Sequence, residues 1–344
     1  MRIRIITVEA LLYEKLDSNK VKCNLCSHRC IIKDGARGIC GVRENTSGTL
    51  ETLVYQNVIA RHVDPIEKKP LFHVSPGSLS YSIATVGCNL KCRFCQNSEI
   101  AQFPAENRMS VPGENITPEE IVEDALRHGC KSISYTYTEP TVYFELALKT
   151  AALATKKGLK NVFVTNGYMT PDAIKMIAPF LDAANVDLKA FKNDFYKTLC
   201  SAGIEPVKEA LIHMKSNGIF IEVTTLLIPG LNDQADELEQ LASFIATSLG
   251  KETPWHISRF HPAYRLTDRG PTPVQSIVGA RRIGFKAGLR YVYTGNIIGE
   301  EGESTFCYNC KKCLIDRYGY TIKKNIIHNS RCPFCGSVID GIDL

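Results

Sequence analysis

A chain of 344 residues is long enough for one large α/β domain with attachments and too long for a minimal fold. Its 44% hydrophobic and 22% charged residues exclude a mostly disordered protein, and a net charge of +5 does not by itself argue for nucleic acid. No stretch approaches 18 uninterrupted apolar residues, and the opening MRIRIITVEALLYEKLDSNK is too often interrupted by charge to serve as an export signal, so a cytoplasmic protein without a membrane span is expected.

Fourteen cysteines in such a chain point away from disulfides, since twelve of them fall in three compact groups. Before the first group, the mixed amphipathic pattern of residues 8–16 predicts a short helix. The group itself, KCNLCSHRCIIKDGARGICGVREN, sets Cys23, Cys26, Cys30 and Cys40 in a C-x2-C-x3-C-x9-C spacing with glycines for tight turns. Four soft ligands in eighteen residues bind a metal, either structural zinc or an auxiliary iron-sulfur cluster that relays electrons. His28 lies inside this knot, as an alternative ligand or as an ordinary solvated side chain.

Residues 49–63 are β-prone, and the proline- and lysine-containing DPIEKKPLFHVSPGS reads as a connecting loop wrapping toward the next motif. From residue 80 onward, apolar runs at 80–86, 132–138, 161–165, 184–188, 219–227 and 255–260 read as buried parallel strands, with a further run at 291–294. Helical patterns separate them, opening at Thr117-Pro118-Glu119-Glu120, at Thr170-Pro171-Asp172 and near Asp233, the last ending at Gly250. The fold class is therefore α/β: six strand-helix units in a partial (β/α)6, TIM-like barrel.

In such barrels the reactive groups sit where strands end. The first strand runs into TVGCNLKCRFCQN, where Cys88, Cys92 and Cys95 stand in a C-x3-C-x2-C spacing. A [4Fe-4S] cube is closed by four thiolates, so three leave one iron open for chemistry. A zinc site would need a second knuckle, and none follows within thirty residues. The later strand ends bring Glu139, Asn166-Gly167, Asp187 with Lys189, and Arg259 with His261. Each has an ordinary reading too: a helix-capping carboxylate, a turn pair, a structural ion pair. Their convergence on one rim favours a site.

The tail carries Cys307-x2-Cys310 and Cys332-x2-Cys335, a zinc-ribbon pattern, with Cys313 as a fifth thiol and six Lys or Arg against three Asp from Cys307 onward. Zinc ribbons bind RNA or proteins, and this one is equally suited to holding a substrate over the barrel mouth. Cys130 and Cys200 are read as structural thiols. The resulting division is 1–79 for the Cys-rich segment and linker, 80–298 for the barrel and 299–344 for the tail.

CNLKCRFCQN, VTNGY, VDLKAF, LLIPGLND and RFHPAY, in this order, resemble the activating-enzyme branch of the radical S-adenosylmethionine (SAM) enzymes, typified by pyruvate formate-lyase activating enzyme. The knot, DPIEKKPLFH and YTYTEPT resemble more narrowly the radical SAM member of the AmmeMemoRadiSam system, whose genes accompany Memo-like and AMMECR-family proteins. The resemblance implies an enzyme in which Cys88, Cys92 and Cys95 bind the [4Fe-4S] cluster, SAM closes the open iron, and a reductant such as ferredoxin or flavodoxin supplies the electron. It further implies that Glu139 lies near the SAM amino group and that Asn166, Asp187, Lys189 and His261 line the SAM and substrate pocket. YTYTEPT departs from the glycine-rich SAM-amino motif of many relatives, and no ferredoxin-type insertion follows Cys95. Hydrogen abstraction from a small molecule, lipid, RNA or protein is expected. The alternatives are an activase installing a glycyl radical on a partner protein, or a non-enzymatic zinc or iron-sulfur scaffold or nucleic-acid binder.

Overall fold

The computed structural model describes residues 7–297 and 301–344. The last barrel residue of the sequence reading and the first two of its tail lie outside them.

One sheet organises the molecule. Its strands, in both chain and spatial order, are β1 (Ala60–Pro65), β2 (Leu79–Ala84), β3 (Ser132–Tyr135), β4 (Lys160–Thr165), β5 (Ala183–Asp187), β6 (Phe220–Leu227), β7 (Trp255–Arg259) and β8 (Val292–Gly295). From β2 to β8 every neighbour is parallel, and β1 pairs antiparallel along the β2 edge, Ala60 opposite Ala84 and Pro65 opposite Leu79. Six helices cross between the parallel strands: α1 (Pro118–Arg127), α2 (Phe144–Lys156), α3 (Pro171–Ile177), α4 (Glu205–Ser216), α5 (Ala235–Phe244) and α6 (Val274–Lys286). This is the expected set of six strand-helix units, closed by the seventh parallel strand that the run at 291–294 foreshadowed.

The local chemistry explains the starts. Thr117 and Glu120 form a reciprocal capping box with Pro118 in the first turn of α1, and the Thr170 side chain accepts from Ala173 N to open α3. The parallel strands β2 to β8 are largely buried on both faces, as apolar runs in such a sheet require, whereas the β1 edge is mostly exposed.

Residues 8–16 are not helical. They form two short strands, Val8–Glu9 and Tyr13–Lys15, in different small sheets. Leu12 adopts a left-handed φ of 55°, which no helix tolerates, and the charged positions that mimicked a helical face are edge-strand residues.

The segment after β1 turns into the barrel. Ile66, Leu71 and Val74 pack with Val162 and Ala183, while Asn185 donates to the Pro70 carbonyl at 2.7 Å. On the same side the tail docks through Cys307, Leu314, Ile315, Cys332 and Ile339 against Phe72, Tyr291 and Tyr293. Its strands, β9 (Thr305–Phe306), β10 (Cys313–Tyr318) and β11 (Thr321–Asn325), make a small antiparallel sheet. Arg317 of β10 is the buried link: its guanidinium stacks 4.4 Å from the Phe72 ring centre, donates to the Phe72 carbonyl at 2.8 Å and faces Glu67 at 3.6 Å.

Candidate functional site

The C-terminal ends of the strands surround a cavity of about 420 Å³. Cys88, Cys92 and Cys95 line it, and with them Glu139, Asn166, Asp187 and Lys189. Of the strand-end residues singled out from the sequence, these four meet the thiols, whereas Gly167, Arg259 and His261 are not part of the lining. His261 is exposed and does not line the cavity. Behind it, the Thr272 hydroxyl accepts from Phe260 N at 2.9 Å and donates to the Leu227 carbonyl at 2.5 Å, which ties the chain to β6 and turns Pro262 and His261 outward.

The thiol loop is held from three directions. Gly87, at φ 98°, lets it lie flat on the knot, Leu90 N donates to Cys88 Sγ at 3.4 Å, and Lys91 N and Arg93 N donate to the carbonyls of Cys200 and Leu199 at 2.9 Å each. Those two carbonyls belong to a π-helical turn, Tyr196–Cys200, the kind of irregularity that clusters at functional sites. The Cys200 thiol hydrogen-bonds Cys92 and holds its sulfur toward the thiolate, whereas burial pushes the Cys88 thiol up. No fourth cysteine lines the cavity among the described residues: Cys200 stands behind Cys92, and Cys130 is buried at the opposite end of β3.

Glu139, 2% exposed, is fixed by four donors. Its Oε1 accepts from Thr141 N, Thr141 Oγ1 and Thr165 Oγ1 at 3.0, 2.5 and 2.7 Å, and its Oε2 accepts only from Asn166 N at 2.8 Å. Burial pushes its carboxyl up, partly offset by these hydrogen bonds. It does cap the short Pro140–Tyr143 turn, yet Oε2 keeps accepting capacity on the cavity side. Asn166 donates to Asn89 Oδ1 at 2.8 Å and reaches Cys88 Sγ at 3.8 Å, more than a turn residue does. Lys189 pairs with Asp187 at 2.7 Å. Burial opposes its charge, but Asp187 and the nearby Cys92 sulfur outweigh it and raise the lysine well above its ordinary value.

Further residues line it: Lys68, Lys69 and Pro70 from the inserted segment, Tyr137 at a left-handed φ of 61°, Ser258, Asn296 and, from the β10–β11 turn of the tail, Tyr320. DPIEKKPLFH does reach the cluster loop's cavity, as expected.

Two further groups of thiols lie outside it. In the tail, Cys307, Cys310, Cys332 and Cys335 gather with all Sγ atoms within 4.8 Å of one another, in pairs at 3.6 Å, a donor set that fits one metal ion. Cys313 is exposed at the start of β10 and outside that set. In the knot, Cys23, Cys26, Cys30 and Cys40 line a separate cavity. His28 is half-buried there: its Nε2 lies 2.7 Å from the Asn89 carbonyl and its ring 4.7 Å from that of Tyr168.

A parallel strand-helix barrel with three thiols at the end of its first parallel strand defines a class, and comparison with known proteins agrees: residues 82–245 match the Radical SAM superfamily. Uncharacterized protein MJ0808 of Methanocaldococcus jannaschii is 48% identical over 334 residues, covering 96% of this chain and 98% of that one. The pyruvate formate-lyase-activating enzyme of Clostridium pasteurianum is 21% identical over 165 residues, 46% of this chain and 66% of that one. Among solved structures, Streptococcus suis SuiB bound to precursor peptide SuiA shares the fold at a TM-score of 0.51 and 13% identity, over 67% of this chain and 51% of that one. No helix among the described residues is long and apolar enough to cross a membrane.

Proposed function

We propose that this chain is an enzyme that cleaves SAM reductively and abstracts hydrogen from a substrate held at the barrel mouth. The observation that carries the reading is the donor set of the cavity: three thiols and, among the described residues, no fourth cysteine, facing a carboxylate, an amide and an ion-paired lysine. Cys88, Cys92 and Cys95 would hold the [4Fe-4S] cluster, which when bound by SAM supplies the electron that splits the sulfonium to methionine and a 5′-deoxyadenosyl radical.

The protein's own residues orient and exclude. Glu139 Oε2 is placed to accept from the SAM amino group, and its four donors keep it from rotating. Lys189 and Asp187 offer a cation and an anion for the SAM carboxylate and hydroxyl groups. Tyr320 and Tyr137 narrow the opening and limit water.

The scaffold reading is disfavoured because a purely structural site would close its fourth ligand position. We take residues 1–79, 80–298 and 299–344 as metal knot with linker, catalytic barrel and substrate- or partner-facing ribbon, the ribbon holding zinc. The knot, DPIEKKPLFH and YTYTEPT support membership of the AmmeMemoRadiSam system, with Memo-like and AMMECR-family proteins as partners and ferredoxin or flavodoxin as donor. Similarity to an activating enzyme keeps a glycyl-radical product on a partner protein as the second reading.

The test is anaerobic. Protein reconstituted with iron and sulfide, reduced and mixed with SAM should release 5′-deoxyadenosine, and Cys92→Ala should not. A fully loaded cluster that releases none, with an electron-spin-resonance spectrum unchanged by SAM, overturns the proposal.

A further inference from the structure

The knot gathers its sulfurs beside a buried cation. Its four thiols share one cavity with Leu25, Ile32, Ile39 and Val142, and Arg43, 1% exposed, points Nη1 at Cys23 Sγ from 3.4 Å while ion-paired to buried Glu145.

What the thiolates hold follows from their spacing. Four bonds of about 2.3 Å to one zinc ion bring tetrahedral sulfurs to about 3.8 Å from each other. The tail thiols do this, and they are the only such group of three or more ligand atoms within 4.8 Å among the described residues. The knot thiols line a common cavity, yet no three of them lie within 4.8 Å of one another, and neither do Cys88, Cys92 and Cys95. A cube of iron and sulfide is bound at separate irons, so its thiolates stand farther apart than those around one ion. The chain thus contains its own standards, and the knot matches the cluster loop rather than the ribbon.

The knot also touches the cluster loop. A Cβ on Gly87 would lie 2.9 Å from the Cys40 carbonyl oxygen. His28 meets the Asn89 carbonyl, Cys26 bridges Met169, and Thr141 lines the knot while it holds Glu139 on the cavity side. One layer of residues separates the two sites.

We propose that Cys23, Cys26, Cys30 and Cys40 bind a second iron-sulfur cluster of the [4Fe-4S] type, which passes single electrons to the cluster at Cys88. A low-potential one-electron donor protein reduces the knot cluster by one electron. That electron moves to the oxidised Cys88 cluster and the knot cluster returns to its oxidised state, with no bond or proton exchanged. Occupancy of the knot is independent of SAM cleavage, whereas the relay rests on the function proposed above.

Metal analysis with Mössbauer spectroscopy on the intact, reconstituted chain tests occupancy. About eight irons and eight sulfides per chain are expected, with about four of each left in a Cys88→Ala, Cys92→Ala, Cys95→Ala variant and zinc confined to the ribbon. About four irons in the intact chain, with two zinc ions, overturns the proposal without touching the SAM reading. For the relay, a Cys26→Ser, Cys40→Ser variant should lose an order of magnitude in the rate at which a reduced ferredoxin, but not dithionite, reduces the remaining cluster. Equal loss with both reductants, or with neither, overturns the relay.

Discussion

Gly87 rests on Cys40: any side chain at position 87 would sit 2.9 Å from the Cys40 carbonyl oxygen and 2.8 Å from Val42 Cγ1. The residue just before the first cluster thiol and the last thiol of the knot therefore occupy one close-packed contact, made possible by a φ of 98°.

Gly87→Ala should cost about 2 to 4 kcal/mol, the sum of left-handed strain and overpacking. Gly129→Ala is the control, since that glycine also has a positive φ but nothing within 4 Å of its missing Cβ, and about 1 kcal/mol is expected. Denaturant titration of the two variants gives the comparison, and similar losses would contradict the contact.

Glu139→Gln tests the carboxylate. A carboxylate accepts from all four surrounding donors, whereas an amide must turn an NH2 toward at least one of them. A loss of roughly 1 to 3 kcal/mol in stability is expected, together with weaker SAM binding at unchanged iron content. Calorimetric titration with SAM reads the second effect, and undiminished affinity would show that Glu139 only caps its turn.

Arg317 and Glu67 are both fully buried and 3.6 Å apart. Arg317→Met removes one charge and strands the other, which should cost about 3 to 5 kcal/mol. Adding Glu67→Gln should recover part of that loss, and thermal unfolding of the single and double variants measures the recovery.

His73 makes the fold sensitive to acid. Burial pushes its imidazole from 6.5 down to about 4, between the Asp340 carbonyl and the Tyr293 hydroxyl. The folded state therefore holds it neutral while the unfolded chain takes up a proton below 6.5. Its contribution is intact above that pH and is lost as the pH falls toward 4, by roughly 3 kcal/mol in all. His73→Gln should be less stable at neutral pH but flatter across this window, a difference that denaturant midpoints at several pH values record.

Much of this site is legible in the sequence because strand ends carry their own signals: an apolar run that stops at a polar or thiol residue marks both strand and rim, as at Asn166 and Asp187. The tail is legible because metal spacing is local. What escapes is long-range. Nothing near Tyr320 says that it meets Lys68 at one cavity, since it arrives from a different sheet. Leu12 gives no hint of the left-handed turn that replaces the expected helix at 8–16, because leucine seldom adopts it. His261 follows the strand-end rule by position and fails it in space, since Thr272 pulls the backbone beneath it away.

The segment that turns into the barrel after β1 has partners far along the chain: Val74 bridges Ile342, and His73 meets the Asp340 carbonyl 267 residues on. Neighbouring strands of the sheet can pair as the ribosome delivers them, because their spatial and chain orders coincide. The inner seam cannot. It stays open until Asp340 and Ile342 have been made, so a wall begun at His73 is finished only by residues 267 positions further along.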